Sequence, residues 1–332
     1  MIRVAINGFG RIGRTFFRKL KGHEKIHVVG INDLTSPSTL AHLLKYDSVH
    51  GRFDGEIYAT ERSIIINGVE IPVSTETDPE KLPWNSLRID VVLECTGRFT
   101  KAEQAKKHIE AGAKKVIISA PATGDMKTVV LGVNEHILTG DETIISNASC
   151  TTNNAAPMIM LLDNNFGIES AYVTTIHAYT GDQNLHDAPH KDLRRARAAA
   201  HSIIPTTTGA AKAITEVFPN LIGKIGGAGI RVPVIDGSLT DITCIVRKTT
   251  TVEEINSIFK HAAENQLMGI LQYTEEPIVS VDIIGNNNSC IFDAQLTSVL
   301  GEGKMVKIVG WYDNESGYSA RLVDLVERVF KQ

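Results

Sequence analysis

The chain has 332 residues, of which 42% are hydrophobic and 22% are charged, and its formal net charge at pH 7 is −4. These values are typical of a folded globular protein with two domains, and they give no electrostatic case for binding nucleic acid or an anionic membrane. No apolar run approaches the length of about 18 residues that spans a bilayer, and no signal peptide is evident, so we expect a cytoplasmic protein that acts on small molecules.

The first predicted elements are a strand, a glycine-rich turn and a helix. Residues 2–6 (IRVAI) form a short β-rich run, and NGFGRIG follows directly before an amphipathic stretch that ends near Leu20. Gly8, Gly10 and Gly13 complete a GxGxxG pattern, whose glycines allow a tight turn, a close approach of the backbone to a pyrophosphate and packing of the helix on the strand. This order predicts a dinucleotide site with the phosphates at the helix N-terminus.

The second predicted strand, HVVGIN at residues 27–32, leads into Asp33, which lies 20 residues after Gly13. A carboxylate at this point can accept hydrogen bonds from the adenosine ribose hydroxyls, and its charge would repel a 2′-phosphate. The sequence therefore predicts NAD rather than NADP as the cofactor. The alternative is a generic βαβ turn with an exposed aspartate.

A metal site is suggested by HEKIH, residues 23–27, which matches the HExxH pattern of zinc metalloproteases. That pattern places both histidines on one face of a continuous helix. Here Gly22 would end the preceding helix and His27 would open a strand, so we expect no metal centre. We interpret His186 and His190 as part of a polar loop, and the four cysteines contain no CxxC pair, which argues against a zinc ribbon.

Further apolar stretches continue the alternation of strands and helices. Residues 91–97, 116–119 and 129–133 are typical of buried parallel strands, and residues 101–111 are typical of a crossover helix. The turns after the first two of these strands lie where open α/β sheets bind ligands, although their local sequences fit plain loops equally well.

SNASCTTNN, residues 146–154, places Cys150 among small hydroxyl and amide residues. The apolar residues that follow, from Ala155 to Leu162, predict a helix that begins near the cysteine, with Pro157 in its first turns or at a kink. The N-terminus of a helix stabilises a thiolate through its dipole and its N–H groups, and the same groups can hold an oxyanion. We therefore predict that Cys150 is a nucleophile with a lowered pKa.

A partner for this cysteine is offered by TTIHAYTGD, residues 174–182, which places His177 at the end of a predicted strand. The separation of 27 residues from Cys150 to His177 allows a helix, a turn and a strand that returns to the cysteine. An imidazole beside the sulfur can handle its proton, and as imidazolium it would further favour the thiolate. A histidine at a strand end is by itself more often structural, but the dinucleotide motif and Cys150 favour a catalytic pair.

Anion-binding residues are predicted in HKDLRRARAAA (190–200) and IIPTTTGAAKA (203–213). Thr206 to Thr208 and Gly209 precede an alanine-rich helix, where hydroxyl groups and backbone N–H groups can bind an anion. Arg195 and Arg231 could bind a phosphate bidentately, although an arginine run is equally typical of a solvated or subunit-contact face.

Together these motifs resemble the family of phosphorylating glyceraldehyde-3-phosphate dehydrogenases of bacterial type. The segments AINGFGRIGR, HLLKYDSVHGRF, SNASCTTN, IIPTTTGAAKA, RVPV and WYDNESGYS follow that family's order over nearly the whole chain. The resemblance implies an α/β fold with a Rossmann NAD-binding domain of residues 1–148, completed by a C-terminal helix at 313–332. It implies an α+β catalytic domain of residues 149–312 with a mostly antiparallel or mixed sheet, and a homotetramer.

The resemblance also assigns roles to the residues that match the family's motifs. Cys150 is implied as the nucleophile, and His177 as the base that activates it. The implied contacts to NAD are Gly8, Gly10, Arg11, Ile12, Gly13, Asp33, Ser119 and Asn314. On the substrate side the implied contacts are Thr180, Arg195 and Arg231, and on the side of inorganic phosphate they are Ser149, Thr151, Thr208 and Gly209.

The implied reaction is a step of glycolysis and gluconeogenesis, the oxidative phosphorylation of D-glyceraldehyde 3-phosphate to 1,3-bisphosphoglycerate through a thiohemiacetal and a thioester on Cys150. The nearest alternative is erythrose-4-phosphate dehydrogenase, a sister family that hydrolyses its thioester; TTTGAAKA favours the phosphorylating enzyme. A dinucleotide-binding protein without activity is another alternative, which the set of Cys150, His177 and Arg231 argues against. Two positions depart from the family's pattern: Asn154 stands where a second cysteine is frequent, and Ala188 is smaller than the residue of many NAD-specific members.

Overall fold

The structure is a computed structural model that describes residues 1–330. The chain divides into two compact units. Unit 1 comprises residues 1–129, residues 135–148 and the residues from Ser319 onward, and unit 2 comprises Val130–Asn134 and Ser149–Tyr318. No helix among the described residues is both long enough and apolar enough to cross a membrane.

Unit 1 alternates strands and helices along the chain. Its helices are α1 (Arg11–Lys19), α2 (Pro37–Lys45) and α3 (Ala102–Glu110). Its strands are β1 (Ile2–Asn7), β2 (Ile26–Asn32), β3 (Tyr46–Asp47), β4 (Gly51–Arg52), β5 (Ile57–Ala59), β6 (Ser63–Ile66), β7 (Val69–Ser74), β8 (Val91–Glu94), β9 (Lys115–Ile118), β10 (Lys127–Thr128) and β11 (Ile144–Ser146).

One nine-stranded sheet organises this unit, in the order β10-β11-β9-β8-β1-β2-β7-β6-β5. The strands from β10 to β7 are parallel, and β6 and β5 complete the edge as antiparallel strands. The central strand β1 is apolar and β-branched, and its residues Val4 to Ile6 have no exposed surface, as in a sheet that is covered on both faces. The predicted Rossmann-type fold is confirmed.

The predicted strand at residues 129–133 is wrong. Pairing with β11 is limited to Lys127 and Thr128, after which the chain turns, with the N–H of Val133 donating to the carbonyl of Val130. Gly132 takes a left-handed φ of 80° in this turn. The apolar side chains at 129–131 are buried without strand pairing, so burial alone produced the strand-like pattern.

Unit 2 is built on a second sheet and a long helix. Its strands are β12 (Ile168–Ala178), β13 (Ile204–Thr206), β14 (Ile225–Val232), β15 (Ser238–Val246), β16 (Leu271–Thr274), β17 (Cys290–Asp293), β18 (Ser298–Leu300) and β19 (Met305–Tyr312). The helices are α4 (Cys150–Phe166), α5 (Ala210–Val217) and α6 (Val252–Glu264), and α7 (Ser316–Arg328) follows β19.

The second sheet has the order β13-β14-β12-β15-β19-β17-β16, and β18 pairs with β19. The pairs β12–β14 and β16–β17 are parallel, and the other pairs are antiparallel, which confirms the predicted mixed sheet. Helix α4 packs on it through Met158, Ile159 and Leu162, which share one apolar core with Val173 and Ile242. The core therefore fixes α4, whose first residue is Cys150, against the strand that carries His177.

The predicted C-terminal helix at 313–332 begins three residues later than expected. Asp313 precedes α7, and its Oδ1 accepts the N–H groups of Glu315 at 2.9 Å and Ser316 at 2.6 Å. A carboxylate in this position satisfies N–H groups that have no partner inside the helix, so it defines the helix start. The last two residues of the prediction, Lys331 and Gln332, lie outside the described residues.

Candidate active site

The glycine-rich turn of unit 1 needs its glycines for three separate reasons. Gly8 has a φ of 92°, and a Cβ there would lie 2.8 Å from backbone atoms of Cys95 and Thr96. A Cβ on Gly13 would lie 2.5 Å from the carbonyl oxygen of Gly8, so a larger residue would push α1 away from the turn. A Cβ on Gly10 would meet no atom within 4 Å, so open space lies directly beside the N-terminus of α1. The turn therefore leaves room for an anion at the helix end.

A cavity of about 270 Å³ lies at this turn, and its lining includes Gly8, Gly10, Asn32 and Asp33. The Asp33 carboxylate accepts the N–H of Phe9 at 2.8 Å and the N–H of Thr35 at 3.0 Å, so it is fixed between the turn and the end of β2. A fixed carboxylate suits ribose hydroxyls, and the open helix end suits a pyrophosphate. The residues present therefore fit a dinucleotide.

Arg11 can contact a ligand only through its backbone N–H group, because its side chain is bound to Asp47. The guanidinium donates to Asp47 at 2.8 and 3.1 Å. Arg11 and Ile12 lie in the first turn of α1, before Arg14, whose N–H donates to the carbonyl of Gly10.

Ser119, another residue predicted to contact NAD, follows β9 and lies outside the cavity lining. Its N–H and its hydroxyl both donate to the carbonyl of Glu94 at 3.0 Å.

The ion pair of Arg11 and Asp47 should make the free energy of unfolding depend on pH in acid solution. Burial opposes ionisation of Asp47, but the N–H groups of His50 and Val49 and the Arg11 guanidinium lower its pKa to about 2. Because this folded pKa lies below the unfolded value of about 3.9, the stabilisation is present at neutral pH and is lost as the pH falls through about 2. We expect Asp47→Asn to lower the free energy of unfolding at pH 7 by about 1–2 kcal/mol. Urea unfolding from pH 7 to pH 2 should show the two proteins converging, and a difference that persists at pH 2 would contradict this account.

A buried polar network supports the cavity from inside unit 1. The Glu94 carboxylate has no exposed surface, and it accepts the Asn7 side-chain amide at 2.6 Å, the Thr96 N–H at 2.8 Å and the Thr96 hydroxyl. Trp84 donates its indole N–H to Nδ1 of His108 at 3.0 Å, so Nε2 of His108 carries the proton that points to Glu94 at 3.1 Å. Asn7 and Thr96 line the cavity, so the buried carboxylate orients part of its surface.

This network makes a strong stability prediction. We expect His108→Leu to lower the free energy of unfolding by about 2–4 kcal/mol, because a buried carboxylate loses a donor that no water replaces. His108→Gln is the matched control, since its amide can still donate a proton, and it should cost less than half as much. Urea unfolding measures both values. Equal losses in the two variants would show that packing, not the hydrogen bond, is what His108 contributes.

The predicted nucleophile and base meet within unit 2. Cys150 is the first residue of α4, and Ser149 caps the helix by accepting the N–H of Thr152 at 3.1 Å. His177 lies one residue before the end of β12, and its Nε2 is 3.5 Å from the sulfur of Cys150. The helix and the returning strand that the spacing predicted therefore place imidazole beside sulfur.

The hydrogen bonds of His177 assign its tautomer. Nδ1 lies 2.7 Å from the carbonyl oxygen of Ala178, which can only accept, and 2.9 Å from Nη1 of Arg231. The two protons of that Nη1 are donated to the Ala178 carbonyl and to the Thr180 hydroxyl, so none is left for Nδ1. Nδ1 therefore carries the proton, and Nε2 presents a lone pair to Cys150. Burial, together with the charge of Arg231, lowers the pKa of His177 to about 3. The imidazole is thus neutral at pH 7, in the form that can accept a proton from the thiol.

The pKa of Cys150 differs from the sequence-based expectation. Burial raises the pKa of this thiol, whereas the charge of Arg231 and the N–H groups at the start of α4 act in the opposite direction. The expectation of a lowered pKa considered the helix end alone and omitted the removal of the sulfur from water. The resting pair is therefore a thiol and a neutral imidazole, and the thiolate forms by proton transfer to His177.

The two predicted arginines belong to one network near this pair. Arg231 is directly opposite His177 in the parallel pairing of β12 and β14, and its Nη1 donates to the carbonyl of Ala178 at 2.9 Å and to the hydroxyl of Thr180 at 3.0 Å. Thr180 donates in turn to Asp182, which also forms an ion pair with Arg195. Asp182 thus joins the two arginines, although no motif in the sequence singled it out.

Arg195 is held from a second side by the threonine run. Its Nε donates to the hydroxyl of Thr206 at 3.0 Å. Burial alone would raise the pKa of Asp182, but the Thr180 hydroxyl and the charges of the two arginines lower it, so this carboxylate is ionised at neutral pH. The network holds both guanidinium groups with Thr180 and Asp182, where they can bind anionic groups.

The residues predicted on the phosphate side lie on two elements. Thr151 is in the first turn of α4, and its hydroxyl is 2.9 Å from the hydroxyl of Tyr312. Thr208 and Gly209 precede α5, where the hydroxyl of Thr208 accepts the N–H of Ala210 at 3.2 Å and a Cβ on Gly209 would meet open space. Among residues 1–330, no hydrogen bond joins this turn to Cys150 or His177.

Tyr312 is a site residue that the sequence did not reveal. Its hydroxyl bridges Thr151 at 2.9 Å and Thr175 at 2.8 Å, and its ring meets the edge of His177 with centroids 5.9 Å apart. Tyr312 therefore packs both elements of the catalytic pair, α4 and β12. The only signal in the sequence was its position in WYDNESGYS, one of the segments that carry the resemblance to the family, and that segment gave this tyrosine no role.

Asn154 and Asn314, both named from the sequence, have clear positions. Asn154 is buried in α4, and its amide donates to the carbonyls of Gly310 at 3.4 Å and Trp311 at 3.2 Å, so it fastens the helix to β19. Asn314 follows β19, is buried, and accepts the hydroxyl of Ser238 at 2.7 Å through Oδ1.

The HExxH segment does not have the geometry of a metalloprotease. Helix α1 ends at Lys19, and His27 lies in β2, so the two histidines do not share a helix. His23 accepts the N–H of Ile26 at 3.2 Å and pairs with Glu327 at 3.1 Å. His190 likewise accepts a local N–H, that of Asp192 at 2.9 Å, within its polar loop.

Comparisons with known proteins agree with this geometry. Residues 2–102 match the NAD binding domain of glyceraldehyde 3-phosphate dehydrogenase, and residues 149–314 match the C-terminal domain of the same family. The chain is 58% identical to the glyceraldehyde-3-phosphate dehydrogenase of Thermotoga maritima over 100% of both chains. It is 55% identical to that of Clostridium acetobutylicum over 97% of both, and 52% identical to glyceraldehyde-3-phosphate dehydrogenase 1 of Bacillus subtilis over 100% of this chain and 99% of the relative. The chain belongs to the glyceraldehyde 3-phosphate dehydrogenase family.

Proposed function

We propose that the protein catalyses the NAD-dependent oxidation and phosphorylation of D-glyceraldehyde 3-phosphate to 1,3-bisphosphoglycerate. The observation that carries the proposal is the contact of 3.5 Å between Cys150 and His177, with Arg231 on the neighbouring strand. A nucleophile, a base and a cation in this arrangement suit an aldehyde that bears a phosphate group.

The first half of the reaction uses the Cys150–His177 pair. His177 takes the thiol proton at Nε2 as the sulfur attacks the aldehyde carbon, and it returns that proton to the developing alkoxide, which gives a thiohemiacetal. The backbone N–H groups at the start of α4 are donors for this oxygen. The chemistry that bound NAD would supply is the acceptance of a hydride from the same carbon. His177 removes the hydroxyl proton again in that step, and a thioester remains on Cys150.

The second half discharges the thioester. An oxygen of inorganic phosphate attacks the acyl carbon, the bond to sulfur breaks, and Cys150 leaves as a thiolate that recovers the proton held on His177. Two anionic groups, the substrate's own phosphate and the attacking phosphate, must be held at once. We assign Thr180, Arg195 and Arg231 to the first, and Ser149, Thr151, Thr208 and Gly209 to the second, because these two sets offer hydroxyl, guanidinium and backbone donors.

We assign cofactor binding to the cavity of unit 1, through Gly8, Gly10, Gly13, the N–H groups of Arg11 and Ile12, and Asp33, with further contacts from Ser119 and Asn314. The carboxylate of Asp33 is already fixed by two backbone N–H groups, so it cannot turn away from a ligand without losing them. Its charge should therefore disfavour the 2′-phosphate of NADP.

Domain organisation, assembly and location complete the proposal. We assign residues 1–148 with the C-terminal helix to an NAD-binding domain and residues 149–312 to a catalytic domain, and we propose a cytoplasmic homotetramer. Support for a subunit contact comes from Leu185, Leu193 and Ile203, which are 73%, 82% and 69% exposed within one short segment. Large apolar side chains exposed together are typical of an interface between chains.

The test of this function is the anion dependence of NADH formation. We expect steady turnover of D-glyceraldehyde 3-phosphate and NAD to NADH only when phosphate or arsenate is present, because discharge of the thioester requires an oxyanion nucleophile. Absorbance at 340 nm follows the reaction. Turnover that is equally fast without either anion would replace the phosphorylating activity with a hydrolytic one, as in erythrose-4-phosphate dehydrogenase.

A further inference from the structure

A chain of three hydroxyl groups lies between the start of α4 and the sheet of unit 2. The hydroxyl of Tyr312 is 2.9 Å from that of Thr151 and 2.8 Å from that of Thr175, and Thr175 donates in turn to the carbonyl of Leu239 at 3.4 Å. The three residues that carry these hydroxyls are at most 5% exposed. Each of their protons therefore needs an acceptor inside the unit.

The carbonyl at one end of the chain sets the direction of these protons. It can only accept, so the single proton of Thr175 is donated to Leu239, and Thr175 accepts the proton of Tyr312. The oxygen of Tyr312 then accepts the proton of Thr151. In this direction all three protons have an oxygen acceptor, and the Thr151 hydroxyl is the end of the chain that can turn.

The sulfur of Cys150 is a second acceptor for the Thr151 proton. Burial raises the pKa of Cys150, and a hydrogen bond from the Thr151 hydroxyl is one of the contacts that oppose it. A thiol sulfur is a weak acceptor, whereas a hydrogen bond to a charged group is about twice as strong as a neutral one. The better acceptor is therefore Tyr312 while Cys150 is a thiol, and the sulfur once the thiol proton has passed to His177.

We propose that Tyr312 is a positioning residue that accepts the Thr151 hydroxyl proton while Cys150 is a thiol and yields it to the sulfur when the thiolate forms. Only the O–H bond of Thr151 rotates, and the thiol proton goes to Nε2 of His177, so no other proton is gained or lost. This inference rests on the proposed function, in which the thiolate forms before attack on the aldehyde and again when phosphate displaces the sulfur. It adds a donor that stabilises the thiolate in both steps.

The charged and titratable groups that face the sulfur come from three strands. His177 on β12 is 3.5 Å from it, the charge of Arg231 on β14 opposes the effect of burial, and Tyr312 lies on β19. Among residues 1–330, neither His177 nor Arg231 forms a hydrogen bond with the hydroxyl chain. Tyr312→Phe keeps the ring that meets His177, so this variant changes the hydroxyl chain alone.

The test is the pH profile of Cys150 alkylation by iodoacetamide in the unchanged protein, in two single variants and in their double variant. Tyr312→Phe leaves one proton without its acceptor, that of Thr151, which then donates to the sulfur. We therefore expect the midpoint of the profile to move to lower pH by about 0.5–1 pH unit. Thr151→Val should move it to higher pH by a similar amount. The double variant should match Thr151→Val, because Tyr312 acts only through that hydroxyl.

Thr240→Val is the matched control. Thr240 is opposite Thr175 in the pairing of β12 and β15, is fully buried, and its hydroxyl has no hydrogen-bond partner among the described residues. This variant should leave the midpoint unchanged. A midpoint that stays or rises in Tyr312→Phe, an equal fall when Tyr312→Phe is added to Thr151→Val, or a comparable shift in Thr240→Val would overturn the role of Tyr312.

This experiment separates the inference from the proposed function. Alkylation of Cys150 needs neither cofactor nor substrate, so its pH profile reports on the sulfur alone. Absence of phosphate-dependent NADH formation in the unchanged protein would overturn the proposed function, and the measured shifts would still decide the role of Tyr312.

Discussion

Replacing Cys150 with serine should lower kcat/KM for D-glyceraldehyde 3-phosphate at least about 10⁴-fold. A serine hydroxyl is a far weaker acid than a thiol, so the neutral His177 imidazole cannot generate a comparable nucleophile, and an ester releases its acyl group to phosphate less readily than a thioester does. The Kd of NAD should stay within about twofold, because the glycine-rich turn and Asp33 are untouched. NADH formation and calorimetry measure the two quantities.

The matched control for that variant is Cys244→Ala. Cys244 is a buried thiol in β15 that packs in the apolar core and has no polar partner assigned to the reaction. Its replacement should leave kcat/KM within about threefold and lower only the free energy of unfolding. Substantial turnover in Cys150→Ser, or a comparable loss of activity in Cys244→Ala, would remove Cys150 from its assigned role.

Replacing His177 with asparagine should reduce kcat about 10²- to 10⁴-fold, the usual effect of losing a general base. It should also move the alkylation of Cys150 by iodoacetamide to higher pH. With His177 present, the thiol proton can pass to Nε2, 3.5 Å from the sulfur, and the imidazolium that forms stabilises the thiolate beside it. Without it, the thiolate must form against the burial that raises the pKa of Cys150, so alkylation should become fast only in alkaline solution.

Alkylation rates between pH 5 and pH 10 in the two proteins provide the check. A neutral reagent is needed, because an anionic one would also report on Arg231. Identical pH profiles for the unchanged protein and His177→Asn would mean that His177 does not take the thiol proton. A fall in kcat with an unchanged profile would leave His177 a role in the oxidation step alone.

The local parts of the site could be predicted from the sequence. Three features were predicted correctly: the glycine-rich turn, the position of Asp33 after β2, and the helix and strand that carry Cys150 and His177. Each of them is determined by residues that are close together in the sequence, so a local pattern is enough to predict it. The prediction of a strand at 129–133 was wrong because it rested on a local pattern alone. An apolar run indicates that the residues are buried, but it does not indicate whether a neighbouring strand is available for pairing.

The supporting residues depend on the register of distant strands. Tyr312 reaches Thr151 and Thr175 across 161 and 137 residues of chain, because β15 lies between β12 and β19 in one sheet. Asp182 likewise acquires its role only when β12 and β14 are paired. The pKa of Cys150 was misjudged because burial is a property of the assembled unit. No local pattern carries this information.

The central claim is that Cys150 carries an acyl group that only an oxyanion such as phosphate discharges rapidly. The most direct measurement mixes the protein with NAD and D-glyceraldehyde 3-phosphate in phosphate-free buffer and follows NADH and protein mass together. We expect a burst of about one NADH per active site and an acyl adduct on the peptide that contains Cys150, both followed by steady turnover and loss of the adduct once phosphate is added. A burst without an adduct on Cys150, or an adduct that phosphate does not remove, would contradict the account.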